Sequence, residues 1–152
     1  MATKIKSYPN LIDGAWKTYS DTPLEDRNPA DYNEILGFFP MATLDDTKRA
    51  IQAARVAFPA WSRTPAPARG AILDKASQIL TSRLNDIATV LTREEGKTLA
   101  EAKGEVTRAR DIFKYYAGEG WRYGGQVLPG SVNDETLYTR REPLGVVSII
   151  TP

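Results

Sequence analysis

The 152-residue sequence contains neither cysteine nor histidine. Without cysteine it has no disulfide, no thiolate nucleophile and no zinc–thiolate site. Without histidine it lacks the commonest general base and the commonest metal ligand. These absences exclude much of nucleophilic and metal-dependent catalysis from this stretch of chain. A cysteine-free chain also fits a reducing compartment, so we expect a cytoplasmic location.

An excess of one charge is absent too. The chain has 20 basic and 19 acidic residues, a net charge of +1. This balance gives no electrostatic reason to expect a nucleic acid or an acidic membrane as partner. No apolar run approaches the roughly 20 residues of a membrane-spanning helix, and residues 1–6 are not followed by the apolar stretch of a secretory signal.

Residues 8–40 have the pattern of short strands joined by turns. The segment from Leu11 to Trp16 predicts a hairpin with Asp13-Gly14 at its tip. Asn28-Pro29-Ala30-Asp31 predicts a turn. A further strand is expected from Ile35 to Phe39, closed by Pro40.

Four helices are predicted next. The first covers residues 43–58, with a capping-box spacing at Thr43 and Asp46, and ends at Pro59. The second begins near Pro67. The faces expected to pack inward are Ala50, Ile51, Ala54, Ala57 and Phe58 in the first helix, and Ile72, Leu73, Ala76, Ile79 and Leu80 in the second.

The third and fourth helices are separated by Gly96. The third carries Ile87, Val90 and Leu91. The fourth begins with the capping box of Thr98 and Glu101 and is expected to fray through the glycines from 118 onwards. Its predicted inward face consists of Ala102, Val106, Ala109, Phe113, Tyr116 and Ala117.

The C-terminal part predicts a two-stranded excursion over residues 126–142 and then a strand over residues 145–150. The uninterrupted Val-Val-Ser-Ile-Ile run is typical of an inner strand of a parallel sheet. Ligands of such sheets bind beyond the carboxyl ends of the strands. Several helices accompany only one such strand. We therefore expect an α/β fold that is incomplete as an independent fold, with the other strands supplied from elsewhere.

Two local motifs have simple structural interpretations. Gly96-Lys97-Thr98 ends like a phosphate-binding loop, but position 91 is leucine instead of glycine and no strand precedes it, so a helix-to-helix turn is favoured. Glu94 and Glu95 are adjacent and point in different directions, so they do not form an acid–base dyad. Acids at a helix C-terminus are unfavourable unless a local hydrogen bond or a cation holds them.

Two features of the fourth helix leave alternatives open. Arg108 and Arg110 could form a solvated basic face, or one of them could reach over the helix edge to bind a carboxylate in a pocket. The aromatic cluster from Phe113 to Tyr116 could be core or the wall of a pocket.

An ordered series of motifs resembles the aldehyde dehydrogenase superfamily over nearly the whole chain. The series comprises Asn28-Pro29-Ala30, Ala53-Ala54-Arg55 to Phe58 with Trp61, Glu94 to Thr98, Glu101 to Val106, Tyr115 to Gly118, and Arg141 to Val147 with Ile149 to Pro152. Within the superfamily the chain looks most like bacterial enzymes that act on 2-oxoglutarate semialdehyde (2,5-dioxovalerate) or succinate semialdehyde.

The resemblance implies the N-terminal portion of a Rossmann-like cofactor-binding domain with a protruding β-hairpin. It divides the chain into residues 1–125 of an NAD(P)-binding domain, an oligomerisation hairpin at 126–142, and a truncated first core strand at 143–152. The implied reaction oxidises an aldehyde, here a semialdehyde acid, to a carboxylic acid with NAD or NADP. The implied assembly is a homodimer or homotetramer.

The resemblance also implies site residues. Ile150, Thr151 and Pro152 match the end of a cofactor-contacting strand, Arg108 falls on the helix that lines the substrate tunnel, and Glu94 matches a position that holds a structural cation in some relatives. The catalytic cysteine, glutamate and asparagine of the family match no residue here, so the 152-residue chain alone is predicted to be inactive. The alternative function is a stand-alone, non-catalytic fragment that acts as a protein–protein interaction module.

Overall fold

The computed structural model describes residues 5–17 and 23–151. These residues form three two-stranded antiparallel sheets and four helices. In chain order they are β1 (Asn10–Ile12), β2 (Ala15–Lys17), β3 (Pro23–Arg27), β4 (Ile35–Pro40), α1 (Leu44–Arg63), α2 (Ala66–Ser82), α3 (Leu84–Glu95), α4 (Leu99–Arg122), β5 (Val127–Pro129) and β6 (Thr136–Tyr138). The mixture of helices and strands agrees with the predicted partial α/β fold.

The first two hairpins confirm the predicted strands. Between β1 and β2, Asp13 has φ 54° and Gly14 has φ 70°, the left-handed conformations of a tight type I′ turn. β4 pairs with β3, and residues 6–8 extend this sheet through Tyr8 N–H to the Phe38 carbonyl, at 2.8 Å. The Tyr8 ring covers Gly37, where a Cβ atom would lie 2.6 Å from the ring.

Helix α1 has the predicted capping box but not the predicted end. Thr43 accepts a hydrogen bond from the Asp46 N–H, and the Asp46 carboxylate accepts one from Thr43 N. The helix continues through Pro59 to Arg63, although a proline inside a helix removes one backbone hydrogen bond. It ends where Pro65 holds the preceding Thr64 in an extended conformation, with ψ 128°.

The predicted inward face of α1 is largely exposed, which corrects the sequence prediction. Ile51 is 43% exposed and Phe58 is only partly buried. Among the described residues only β1 makes more than slight contact with this helix. The spacing of apolar residues in α1 is amphipathic, but no described helix or strand covers this apolar face.

The core lies between α2, α3 and α4. Ala88 and Ala102 are fully buried and Val106 is 4% exposed. Their apolar neighbours are Leu80, Leu84, Ile87 and Leu91. Leu80, Ala102 and Val106 agree with the predicted inward faces. Ile72, Ile79, Phe113 and Tyr116, also predicted to point inward, are exposed.

Glycines on α2 and α4 bring the two helices into backbone contact. A Cβ atom on Gly70 would lie 2.5 Å from the Ala117 carbonyl oxygen, and one on Gly120 would lie 2.6 Å from that of Ala66. Helix α4 therefore does not fray at its glycines as predicted but continues to Arg122. These glycines serve close packing between antiparallel helices.

The C-terminal part confirms one prediction and leaves another open. β5 and β6 form the predicted hairpin, and every residue of both strands is exposed. Residues 143–151, in contrast, adopt neither strand nor helix, so the predicted strand at 145–150 is not formed. Its apolar pattern suits a strand buried on both faces, and no neighbouring strand pairs with it in the described part of the chain. The inner strand remains a prediction that requires other strands.

Candidate functional site

Two grooves flank the crossing of α2 and α4. The larger, of about 780 Å³, is lined by residues that include Asp74, Lys114 and Trp121. The smaller, of about 410 Å³, has Tyr116 and Tyr123 among its lining residues. Gly70 and Tyr115 line both grooves. Since Tyr115 is 61% exposed, the structure favours the pocket-wall interpretation of the aromatic cluster over the core interpretation.

An ion pair crosses the larger groove. Lys114 Nζ lies 2.5 Å from Asp74 Oδ1, and Gln78 donates to the other carboxylate oxygen at 2.8 Å. The hydrogen bond from Lys114 lowers the pKa of Asp74 below its usual range. The charges of Asp74 and Lys114 therefore pair with each other and link α2 to α4. Aromatic and small side chains line the groove beside this ion pair.

The turn between α3 and α4, at residues 96–98, is surrounded by charged side chains, and we call it the elbow. Gly96 ends α3 with φ 74°, and Lys97 Nζ lies 2.6 Å from Glu105 and 2.5 Å from Glu95. Hydrogen bonds to Glu105 and Glu95 raise the pKa of Lys97. This geometry supports the helix-to-helix turn over a phosphate loop, because the lysine is occupied by two carboxylates.

The turn that precedes β4 docks on this elbow. Arg93 donates to Glu34 Oε1 from both Nε and Nη2, and Asn28 Nδ2 donates to Oε2 of the same carboxylate at 2.7 Å. The hydrogen bonds from Arg93 and Asn28 lower the pKa of Glu34. A Cβ atom on Gly96 would lie 2.9 Å from the Pro29 ring, so this glycine also permits a close approach.

Glu94 is exposed on the last turn of α3. No group of three acidic, histidine or cysteine side chains that could hold a metal ion occurs in residues 5–17 and 23–151. A cation at Glu94 would need ligands from outside these residues, and the metal role of Glu94 remains a prediction.

Arg108 is exposed on α4 and forms no ion pair or side-chain hydrogen bond with the described part of the chain. It does not line either groove at the helix crossing. Arg110, the other candidate, pairs with Asp111 at 2.8 Å. A free guanidinium suits the predicted carboxylate role, but the pocket it would serve is not formed by these residues, so this role also remains a prediction.

The predicted cofactor residues lie at the end of the chain. Ile150 is 94% exposed and Thr151 is exposed, whereas Pro152 lies outside the described residues. Neither Ile150 nor Thr151 belongs to a strand or a helix, so the strand end at which a dinucleotide would bind is not formed in the described part of the chain. The residues present therefore do not form a cofactor site by themselves.

The helix-crossing grooves were not predicted from the sequence. Their backbone contact depends on Gly70 and Gly120, and the sequence signal was present as small residues at helical spacing, Ala66 with Gly70 and Ala117 with Gly120. The glycines of α4 were interpreted as helix breakers. The Asp74–Lys114 pair has no local signal because its members are 40 residues apart.

Comparison with known proteins identifies the class. The profile described as the aldehyde dehydrogenase family matches residues 16–152, so the chain belongs to the aldehyde dehydrogenase family. Among solved structures, the NAD-dependent aldehyde dehydrogenase of Sinorhizobium meliloti superposes with a TM-score of 0.84 at 30% identity, covering 91% of this chain and 28% of that one.

Several of the proteins to which the chain is similar are semialdehyde dehydrogenases. The chain is 44% identical over 151 residues to the alpha-ketoglutaric semialdehyde dehydrogenase of Bacillus subtilis, covering 99% of this chain and 31% of that enzyme. It is 41% identical to the 2,5-dioxopentanoate dehydrogenase of Saccharolobus solfataricus, covering 97% of this chain and 31% of that enzyme. The chain thus spans about a third of the length of these relatives.

Proposed function

We propose that this chain is part of an NAD(P)-dependent dehydrogenase that oxidises a semialdehyde acid to a dicarboxylic acid. The observation that carries the proposal is the 44% identity over 151 residues to an alpha-ketoglutaric semialdehyde dehydrogenase. The similar proteins include an NADP(+) succinate-semialdehyde dehydrogenase of Escherichia coli and an NAD-dependent enzyme of Sinorhizobium meliloti, so the proposal includes either cofactor.

The reaction consumes an aldehyde and water and releases the acid, with hydride passing to the nicotinamide. The described residues carry no group suited to that chemistry, and their role is to build scaffold. The helices α2–α4 pack around one core, the elbow at Gly96 joins α3 to α4, and Arg108 is exposed on α4. Remaining parts of the cofactor and substrate walls are supplied by the segment at 143–152 together with the rest of the enzyme.

The intact polypeptide tests this proposal most directly. We expect the purified natural protein to have about three times the mass of this chain, like a multi-domain enzyme. It should reduce NAD or NADP with 2-oxoglutarate semialdehyde, and the 152-residue chain should not. An intact mass near 16.8 kDa, the mass of this chain, would instead favour the non-catalytic interaction module. Fractionation of the natural host tests the proposed cytoplasmic location.

Arg108 is proposed to bind the carboxylate of the substrate. A charge-assisted hydrogen bond is worth roughly 1.5–3 kcal/mol. Arg108→Ala in the complete enzyme should therefore lower kcat/KM about ten- to a hundredfold for the semialdehyde acid and leave a neutral aldehyde of similar length nearly unchanged. Arg110→Ala is the matched control, because Arg110 is engaged with Asp111. Equal losses of kcat/KM on both substrates would show that Arg108 acts through packing. No loss on either substrate would show that Arg108 is only a solvated side chain.

The hairpin of β5 and β6 is proposed to contact a second copy of the chain. Its strands are only three residues each and exposed on both faces, and isolated hairpins of this kind are marginally stable in water. Replacing Val127 and Leu137 by Ser should shift the complete enzyme towards smaller species in sedimentation experiments. An unchanged assembly with these substitutions would contradict a hairpin-mediated contact.

A further inference from the structure

Two hydrogen bonds close the base of the β5–β6 hairpin. Gln126 N–H donates to Thr139 Oγ1 at 2.8 Å, and Thr139 N–H donates to the Gln126 carbonyl at 2.8 Å. A Cβ atom on Gly125 would overlap the carbonyl oxygen of Thr139, so only glycine allows this approach. The chain segments that enter and leave the hairpin are therefore held together at Gly125, Gln126 and Thr139, which we call the neck of the hairpin.

A cation–π pair extends this neck to the end of α4. The Arg141 guanidinium lies 4.5 Å from the centre of the Tyr123 ring, and Arg141 Nη1 donates to the Tyr123 hydroxyl at 3.1 Å. Tyr123 is the C-terminal cap residue of α4, and its N–H bonds the Glu119 carbonyl at 2.8 Å. A residue after the hairpin is thus attached to the helix before it.

We propose that Tyr123 and Arg141 form a clamp that sets the direction of the hairpin relative to α4 and thereby controls how it is presented to a second copy of the chain. The inference rests on the proposed subunit contact for its effect on assembly, but not for the clamp itself. Both side chains are positioning residues. In the described part of the chain Gly124 and Gly125 connect the last helix to the hairpin, and the conformational freedom of two glycines leaves the direction of the hairpin weakly determined without the clamp.

Amide hydrogen exchange of the complete protein measures the clamp independently of assembly. An exposed cation–π contact is worth about 0.5–1 kcal/mol, so Arg141→Gln should speed exchange at Gln126 and Thr139 about two- to fivefold. Tyr123→Leu should do the same. Tyr123→Phe, which keeps the ring and loses only the hydroxyl, should recover most of the protection. Amides in the middle of α4 should be unaffected.

Arg140→Gln is the matched control. It removes the same charge one residue earlier, and Arg140 faces Glu142 at 3.5 Å instead of Tyr123. Equal acceleration by Arg140→Gln and Arg141→Gln, or none by Arg141→Gln, would overturn the clamp. If the clamp variants loosen the neck and weaken assembly measured by sedimentation, both parts of the inference hold. A loosened neck with unchanged assembly would refute the control of assembly while leaving the clamp established.

Discussion

The helices at residues 66–122 and the C-terminal region at residues 126–151 have similar shares of apolar residues but opposite packing. The helices bury Ala88, Ala102 and Val106 and bring their backbones into contact at two glycines. The C-terminal region has a hairpin exposed on both faces and an apolar segment in which Ile150 is 94% exposed. The helices pack against one another within this chain, whereas the apolar residues of the C-terminal region are left uncovered by the described residues.

The largest effect is expected at the helix crossing. Gly70→Val places a branched side chain against the Ala117 carbonyl, which cannot move without separating α2 from α4, and should reduce the free energy of unfolding by about 3 kcal/mol. Urea denaturation measures it. The control is Gly104→Ala, where a Cβ atom meets nothing within 4 Å; it should stabilise by about 0.5–1 kcal/mol. If both variants changed the free energy of unfolding in the same direction, the close approach of α2 and α4 would not be the reason that glycine is needed at position 70.

A pair of valines compares the two regions directly. Val106→Ala opens a cavity in the core and should lower the free energy of unfolding by about 2 kcal/mol at every protein concentration. Val127→Ala, at a side chain 77% exposed, should change it by less than about 0.5 kcal/mol in dilute protein. If a second copy covers the hairpin, that smaller effect should grow with protein concentration. Equal effects of Val106→Ala and Val127→Ala on the free energy of unfolding in dilute protein would show that the hairpin and the helical core do not differ in packing.

The smallest effect concerns the contact between the β3–β4 turn and α3. The pKa of Glu34 is lowered in the folded state by Arg93 and Asn28. Its stabilising contribution is therefore present above the ordinary value of 4.5 and is lost as pH falls through the lowered folded value. Glu34→Gln should flatten the loss of stability in acid, measured by urea denaturation from pH 7 to pH 3. A double-mutant cycle with Arg93→Gln isolates the pair, and zero coupling would contradict it.

Local sequence signals predicted the elements well. The capping boxes at Thr43 and Thr98, the turn at Asp13-Gly14 and the end of α3 at Gly96 all depend on residues a few positions apart. The errors arose where a distant segment decides. Gly120 was interpreted as a helix breaker because its reason for being glycine is Ala66, more than 50 residues earlier.

The candidate site was less predictable than the fold for the same reason. The segment at 145–150 was recognised as strand-like, yet a strand forms only when another strand pairs with it. Arg108 is exposed on α4, which both of its alternative interpretations allow, but its proposed pocket depends on residues outside this sequence. The Asp74–Lys114 and Glu34–Arg93 pairs join segments 40 and 59 residues apart, which no local pattern reveals.

The glycine contacts also have a mechanical consequence. Because their backbones touch at Gly70 and Gly120, we expect α2 and α4 to tilt together as one body. Helix α4 has 24 residues and is therefore about 36 Å long. A tilt of about 5° at its Thr98 end would move the Tyr123 end by roughly 3 Å. Small rearrangements at the elbow are thus magnified at the neck of the hairpin, at the opposite end of the same helix.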